Sequence, residues 1–326
     1  MSNARKLADN LPREGQLSGR NLIINGAMTV AQRGTSHNGS TAFGSVDRMR
    51  FALSGGTGTM SQQTMSASDR ATTGFNKYLR LDFSAGNNNA GLYYNVEAAD
   101  ILHAQGKKLT LSFWAKGTNP GGGSFVVPHY WYDGSNQNDG TSASLTITSS
   151  WVKYAITFDT ATASSASLTS ATSRYDVAIL QPNADTSTNA WQLNITGLML
   201  EVGSQASPFE YESYDTTLEK CQRYYQKSGD GRTYGIVFNQ HTGVNAYSCM
   251  RWWKPMRVAP TISSMTLSNY NIYNTGASRS FSAIGISQLS ENSGEFYLTT
   301  TTLAAGSATH LNTNGDLTMW KADAEF

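Results

Sequence analysis

The chain reads as a long series of short strand candidates between turn signals, two of which alternate apolar and polar residues at every second position. KLTLSFWAK (108–116) sets Leu109, Leu111, Phe113 and Ala115 on one face. WVKYAITFD (151–159) sets Val152, Tyr154, Ile156 and Phe158 against Lys153 and Thr157. Period two is the mark of a half-buried β-strand. Further strand candidates are DRMRFAL (47–53), GTMSQQTM (58–65), KYLRLDFS (77–84), AGLYYNVE (90–97), SFVVPHYWY (124–132), SASLTITS (142–149), YDVAILQP (175–182) and WQLNITGLMLEVG (191–203). NLIINGAMTVAQRG (21–34) reads as a strand entry, a turn at Asn25-Gly26 and more strand. ATASSASLTSATS (161–173) is low in complexity and reads as a surface loop. Many short strands with no helices between them predict an antiparallel β-sandwich of jelly-roll type over 21–214, rather than a parallel α/β sheet.

One stretch breaks the pattern. DTTLEKCQRYYQKS (215–228) is dense in charge, and its first glycine is Gly229. Thr216 with Glu219 three residues on has the form of a capping box. Leu218, Cys221 and Tyr225 fall at helical spacing, with Tyr224 beside them. A helix of about three turns is marginal alone and needs a partner surface. The expectation is a linker helix over 215–228, with Leu218, Cys221, Tyr224 and Tyr225 as its packing or oligomer face. Strand patterns then resume in RTYGIVFN (232–239), VNAYSCMRWW (244–253), KPMRVAPTIS (254–263), NYNIYN (269–274), FSAIGIS (281–287), GEFYLTTTT (294–302) and LTMWKADAEF (317–326). They predict a second, smaller β-rich domain over 229–326. Residues 1–20 form a polar arm in which Ser2 starts a short helix and Pro12 ends it. Arg5, Lys6, Leu7 and Leu11 are its docking candidates.

Composition narrows the function. The chain has 326 residues, 39% hydrophobic but only 14% charged, with 30 glycines; charged residues usually make up about a quarter. Its surface is solvated by hydroxyls and amides. Lys plus Arg number 24 against 23 Asp plus Glu, a net charge of +1, so no basic footprint suits nucleic acid. No apolar run approaches the ~20 residues of a membrane span, and the N-terminus lacks the apolar core of a secretory signal. Membrane insertion is not expected, and synthesis in a cytoplasm is. Two cysteines, Cys221 and Cys249, are no disulfide framework and read as buried thiols.

Catalytic constellations are missing. The sequence carries no G-x-S-x-G elbow, P-loop, H-E-x-x-H or C-x-x-C. His37, His103, His129, His241 and His310 lack metal-ligand spacing. DGSNQNDG (133–140) fails the calcium-loop spacing and reads as a turn. No enzymatic activity, metal or cofactor is expected, although a carboxylate pair for glycan hydrolysis can converge from distant strands. Recognition has better candidates. In PHYWYDG (128–134), Tyr130 and Tyr132 face one way and Trp131 the other. One side is core; the other offers flat rings suited to stacking on sugars, with Asp133 and Asn136 as hydrogen-bonding neighbours. Trp252 and Trp253 repeat the argument in the second domain, where Pro255 and Pro260 mark a strand end.

Several of these segments, in order, resemble bacteriophage tail-fibre and related virion proteins with a carbohydrate-binding-module-like domain. They are NLIINGAM with AQRG, VDRMRF, LTLSFWAKG, SSWVKYAITF, WQLNITGLMLEVGSQASPFEYESYDTTLEKCQRYYQKS, KPMRVAPTIS and WKADAEF. The resemblance spans about residues 20–326. It implies a jelly-roll sandwich followed by a β-rich distal domain, usually as a homotrimer, and no catalytic residues. The function expected is a virion adhesin: a tail fibre or fibre-like protein that docks on other virion proteins through its N-terminal arm and binds host-surface polysaccharide. A capsid decoration or tail adaptor protein and a glycan depolymerase are the alternatives.

Overall fold

Leu109, Leu111, Phe113 and Ala115 all turn inward from the strand Lys108–Gly117 and are fully buried. Each large aliphatic side chain buried this way contributes about 2 kcal/mol. The computed structural model describes residues 19–39, 41–53, 56–84, 90–118, 123–134, 137–140, 144–160, 163, 168–182, 190–228, 234–240, 245–263, 270–274, 277–279, 282–299, 308–313 and 320–326. The chain divides into two compact units, Met1–Thr217 with Phe326, and Leu218–Glu325.

The strands of the first unit are β1 (Ser36–Asn38), β2 (Arg50–Ala52), β3 (Gly58–Thr64), β4 (Lys77–Phe83), β5 (Gly91–Glu97), β6 (Lys108–Gly117), β7 (Phe125–Val126), β8 (His129–Tyr132), β9 (Gln137–Asp139), β10 (Ser144–Leu145), β11 (Val152–Asp159), β12 (Arg174–Pro182) and β13 (Trp191–Val202). They form two antiparallel sheets. The first runs β1-β3-β4-β13-β6-β11; the second runs β10-β7-β12-β5-β2, with β8 also on β12 and β9 on β8. Both line one core. Leu81, Leu111, Phe113 and Leu193 come from the first sheet, and Leu92, Tyr94, Trp131, Tyr175 and Val177 from the second. This is an all-β jelly-roll sandwich.

Two short helices lie between its strands, against the expectation of none. In α1 (Ala67–Thr73) the Ser66 side chain accepts from Asp69 N, and Gly74 closes the helix in the left-handed region at φ 81°. Helix α2 (Ala98–Ile101) follows β5 directly. Residues 21–34 hold no strand. Asn25 (φ 64°) and Met28 (φ 59°) take left-handed conformations. The Asn25 side chain receives Thr29 N at 2.9 Å and Val30 N at 3.0 Å. It donates to Val30 O at 2.9 Å and Asp47 O at 3.0 Å. One buried amide satisfies backbone groups that a sheet would otherwise take. The segment 124–132 splits at Val127-Pro128 into β7 and β8, because proline cannot donate to a ladder. Of 142–149, the described residues 144–149 are strand only at β10. Residues 161–162 and 164–167 lie outside the described residues, as do the arm residues Arg5, Lys6, Leu7 and Leu11.

The helix expected over 215–228 is α3 (Tyr214–Gln222), shorter and one residue earlier. Ser213, not Thr216, caps it, accepting from Thr216 N at 3.1 Å. It ends early because Tyr225–Lys227 forms β14, paired with Lys321–Asp323. Sheet pairing overrides the helical spacing there. Cys221, Tyr224 and Tyr225 are buried within the chain itself, so they present no oligomer face; Leu218 is half-buried.

The second unit continues with β15 (Tyr234–Gln240), β16 (Asn245–Arg251), β17 (Thr261–Ser263), β18 (Tyr270–Asn274), β19 (Ala277–Arg279), β20 (Ala283–Ser287), β21 (Ser293–Thr299), β22 (Ala308–Thr313) and β23 (Lys321–Asp323). One sheet runs β14-β23-β17, the other β19-β18-β22-β15-β16-β21-β20. Phe238, Ile272, Phe296, Leu298 and Leu311 form its core. Gln226, fully buried, staples the unit: its Nε2 donates to Gln222 O (2.9 Å) and Lys254 O (2.7 Å), and its Oε1 receives Trp253 N (2.9 Å). KPMRVAPTIS is strand only at β17, and Cys249 is exposed, not buried.

Candidate functional site

Strand parity separates the aromatics of the second sheet. On β8, His129 and Trp131 point into the core, and Tyr130 and Tyr132 point out, half-buried. Trp131 is fully buried edge-on to Tyr175, with ring centres 4.8 Å apart; it offers no sugar a face. His129 is also core, its Nδ1 2.7 Å from the Tyr175 hydroxyl and its ring stacked on Phe158.

The outward face of this sheet is built by register. Tyr132 lies opposite Arg174, and Tyr130 opposite Asp176. Asp176 in turn lies opposite Asn95 on β5. One step along, Tyr93 lies between Ala178 on β12 and Arg50 on β2. Three partly exposed tyrosines from two strands thus share a face with two arginines. The floor beneath them is buried: Asp176 is 1% exposed and Asn95 0%. The Asn95 amide donates to Asp176 Oδ1. Arg174 Nε donates to Asp176 at 2.9 Å, with the two side chains 14% and 1% exposed.

Both arginines also lie over rings. The guanidinium carbon of Arg174 is 4.0 Å from the Tyr132 ring centre, and that of Arg50 is 5.0 Å from Tyr93. Such pairs hold long side chains in place. The Tyr132 hydroxyl donates to Gly134 O at 3.0 Å, and the Tyr93 hydroxyl to Gln181 Oε1 at 2.9 Å. Burial pushes the Tyr130 phenol up to about 12, and the Asp176 charge adds to the shift. Burial also raises Tyr93, with Asp176 adding and Arg50 opposing. These phenols stay neutral donors across the physiological range. Asn95 Oδ1 and Arg50 Nε are buried without hydrogen-bond partners.

The structure therefore brings Tyr130 and Tyr132 together with residues the sequence did not single out: Tyr93, Arg50, Arg174, Asp176 and Asn95. One signal for Tyr93 was in the chain. In Leu92-Tyr93-Tyr94-Asn95, alternation that buries Leu92 and Tyr94 turns Tyr93 outward. Asp133 sits half-buried at the turn after β8, and Asn136 lies outside the described residues. Trp252 is buried, its indole donating to Ser290 O at 2.9 Å. Trp253 alone of that pair is exposed, at 55%. Among the described residues no cluster of three or more His, Cys, Asp or Glu could hold a metal, and no helix is long and apolar enough to cross a membrane.

The sequence matches no protein family and no curated protein. Solved structures do align with it. The N-terminal cellulose-binding domain of Cellulomonas fimi β-1,4-glucanase C is 18% identical, covering 40% of this chain and 80% of that one, with a TM-score of 0.27. The family 11 carbohydrate-binding module of a Clostridium thermocellum cellulosomal cellulase is 12% identical, covering 53% and 98%, with a TM-score of 0.32. A xylan-binding domain of the CBM22 class from Paenibacillus barcinonensis is 16% identical, covering 50% and 98%, with a TM-score of 0.30. Likeness this distant carries no functional argument.

Proposed function

We propose that the first unit is a non-catalytic carbohydrate-binding domain whose site is the outward face of β5, β8 and β12. The observation that carries this is the grouping of Tyr93, Tyr130 and Tyr132 over the buried Asp176–Asn95 floor. Aromatic rings supply flat apolar area for the C–H faces of sugars, and the surrounding amide, carboxylate and guanidinium groups match their hydroxyls. The resemblance extends this to a fibre-like virion adhesin, trimeric, docked through residues 1–20 and binding host-surface polysaccharide.

The test is affinity electrophoresis of the whole chain through gels containing xylan, mixed-linkage β-glucan, or polysaccharide from candidate host cells. Retardation that the double variant Tyr130→Ala/Tyr132→Ala abolishes supports the reading. No retardation by any of them, or retardation untouched by the double variant, overturns it. Immunogold labelling of virions decides the location: gold on tail appendages fits an adhesin, and gold over the head removes the attachment role.

A further inference from the structure

A second polar site lies on the other sheet, at the end where β3 begins, β4 ends and β13 begins. A cleft of about 500 Å³ opens there, within the range of small-ligand sites. Strand register explains its lining. Asn38, Thr59, Asp82 and Gln192 stand in one row across β1, β3, β4 and β13. Thr118 closes the row, its hydroxyl receiving Gln192 N at 2.8 Å.

The lining is pre-ordered and electrically balanced. Arg80 holds Asp82 with two parallel bonds, Nε to Oδ2 at 2.8 Å and Nη2 to Oδ1 at 3.2 Å. Gln192 Nε2 donates to Asp82 Oδ1 at 2.7 Å, and Asn194 Nδ2 donates to Gln192 Oε1 at 3.1 Å. This chain fixes the side chains before any ligand arrives, which lowers the entropy cost of binding. It also leaves valence unspent: a carboxylate oxygen accepts twice and an amide nitrogen donates twice, and neither Asp82 Oδ2 nor Gln192 Nε2 is used to the full. Charge on the single acid is offset by Arg80, so the cleft has no preference for an ion.

The aromatic wall differs from the tyrosine face. Trp191 and Phe83 stack on each other, ring centres 3.9 Å apart, and are almost wholly buried. No ring face is open for a planar base. Trp191 lines the cleft, and its Nε1 is buried without a hydrogen-bond partner. Amides, hydroxyls and one compensated carboxylate, without an open aromatic plane, match a ligand gripped through its hydroxyls.

We infer that this cleft is a second saccharide subsite, taking one or two rings of a neutral glycan by their hydroxyls, and that it acts independently of the tyrosine face. The experiment uses the whole chain labelled with ¹⁵N-tryptophan, in which Trp191→Phe identifies the Trp191 indole signal. Cellotetraose, xylotetraose, maltotetraose and mannotetraose are added in turn to about 10 mM, enough to populate a millimolar site. The expected result is a shift of the Trp191 signal with at least one sugar. The shift persists in Tyr130→Ala/Tyr132→Ala, and its apparent affinity falls about tenfold or more in Gln192→Ala or Asn38→Ala while the other indole signals hold their places. No shift with any sugar overturns the inference, as does a shift that the tyrosine variant abolishes and Gln192→Ala leaves alone. A shift that survives while the tyrosine variant leaves polysaccharide retardation unchanged sinks the proposed function and keeps this site.

Discussion

The Arg174 guanidinium stands 4.0 Å from the centre of the Tyr132 ring while its Nε holds the buried Asp176 at 2.9 Å. One side chain thus carries both an aromatic platform and the charge balance beneath it. Removing it leaves Asp176, 1% exposed, with only the Asn95 amide. Breaking one side of a buried pair costs about 3 kcal/mol, chiefly through the charge left behind. Arg174→Ala is therefore expected to destabilise the first unit by about that much. Arg174→Ala/Asp176→Asn is expected to cost less than the sum of the two single changes. Urea titration of the four proteins checks this, and full additivity would mean that the pair is not coupled.

If the tyrosine face binds glycan as proposed, Tyr130 is expected to leave that binding indifferent to mildly alkaline pH. Burial, then the Asp176 charge, lifts its phenol from 10.0 to about 12. A raised pKa means that folding favours the protonated form, a preference lost only as pH climbs toward that value. Polysaccharide retardation is expected to be level between about pH 7 and pH 9. Spectrophotometric titration of the phenols is expected to lose one late-ionising group in Tyr130→Phe. A Tyr130 that ionises with the exposed phenols would remove it from the buried face.

Glu210 gives stability the opposite pH dependence. Burial alone would raise its carboxyl. Backbone N–H donation from Asn21 (3.0 Å), Gly19 (2.6 Å) and Arg20 (2.9 Å) outweighs that and holds it below the ordinary 4.5. A depressed folded-state pKa gives stability that is present above the unfolded value and lost as pH falls through the folded one. Glu210→Gln is expected to melt lower than the native chain at neutral pH and to converge with it at acid pH. A gap that stays constant down the titration would exclude the carboxylate as the source. The same contacts fix the chain at Gly19–Asn21, so the variant is also expected to raise amide exchange there.

Alternation made much of the sandwich legible in the sequence. It assigned the inward face of β6 and, on β11, Tyr154, Ile156 and Phe158, whereas Val152, expected on that face, is exposed. It set Tyr130 and Tyr132 opposite Trp131 but did not say which side is core. Register was not legible. Nothing local says that Asp176 of β12 meets Asn95 of β5 and Tyr130 of β8, because those pairings join segments far apart in the chain. The end of α3 was missed for a related reason. Tyr224 and Tyr225 keep helical spacing, yet β14 pairs with a strand near the chain's other end. Trp131 and Trp252 looked like recognition residues because tryptophan is large and amphipathic; both are spent on packing. Buried polar staples gave no periodic signal. Asn25 and Gln226 show only as isolated amides in the sequence.

Asn25 is the strongest of those staples. Its side chain makes four bonds to backbone within residues 29–47, and its own backbone sits at φ 64°. Two costs can be separated by substitution. Asn25→Gly keeps the left-handed backbone and loses the bonds; Asn25→Ala loses the bonds and adds a strain of about 1 kcal/mol. Each orphaned buried backbone group adds about 1 kcal/mol or more. Both variants are expected to lose several kcal/mol, about 3 or more, with alanine the worse. Denaturant titration reads the order, and alanine at or above glycine would show that the φ angle is not a constraint.

The two thiols check the second unit by a route that needs no ligand. Cys249 lies on the open side of β16 and is exposed, whereas Cys221 is 1% exposed at the end of α3. Burial excludes both water and a bulky disulfide reagent, so only opening of the unit admits attack on Cys221. The native chain is expected to react with Ellman's reagent at a single fast thiol, and the urea-unfolded chain at both. Cys249→Ser is expected to abolish the fast phase and leave a slow one whose rate follows local opening. Gln226→Ala removes the amide that ties Gln222, Lys254 and Trp253 together, so it is expected to speed that slow phase. Fast labelling of both thiols in the native chain would mean that Tyr224, Tyr225 and Cys221 are not packed as β14 and α3 require.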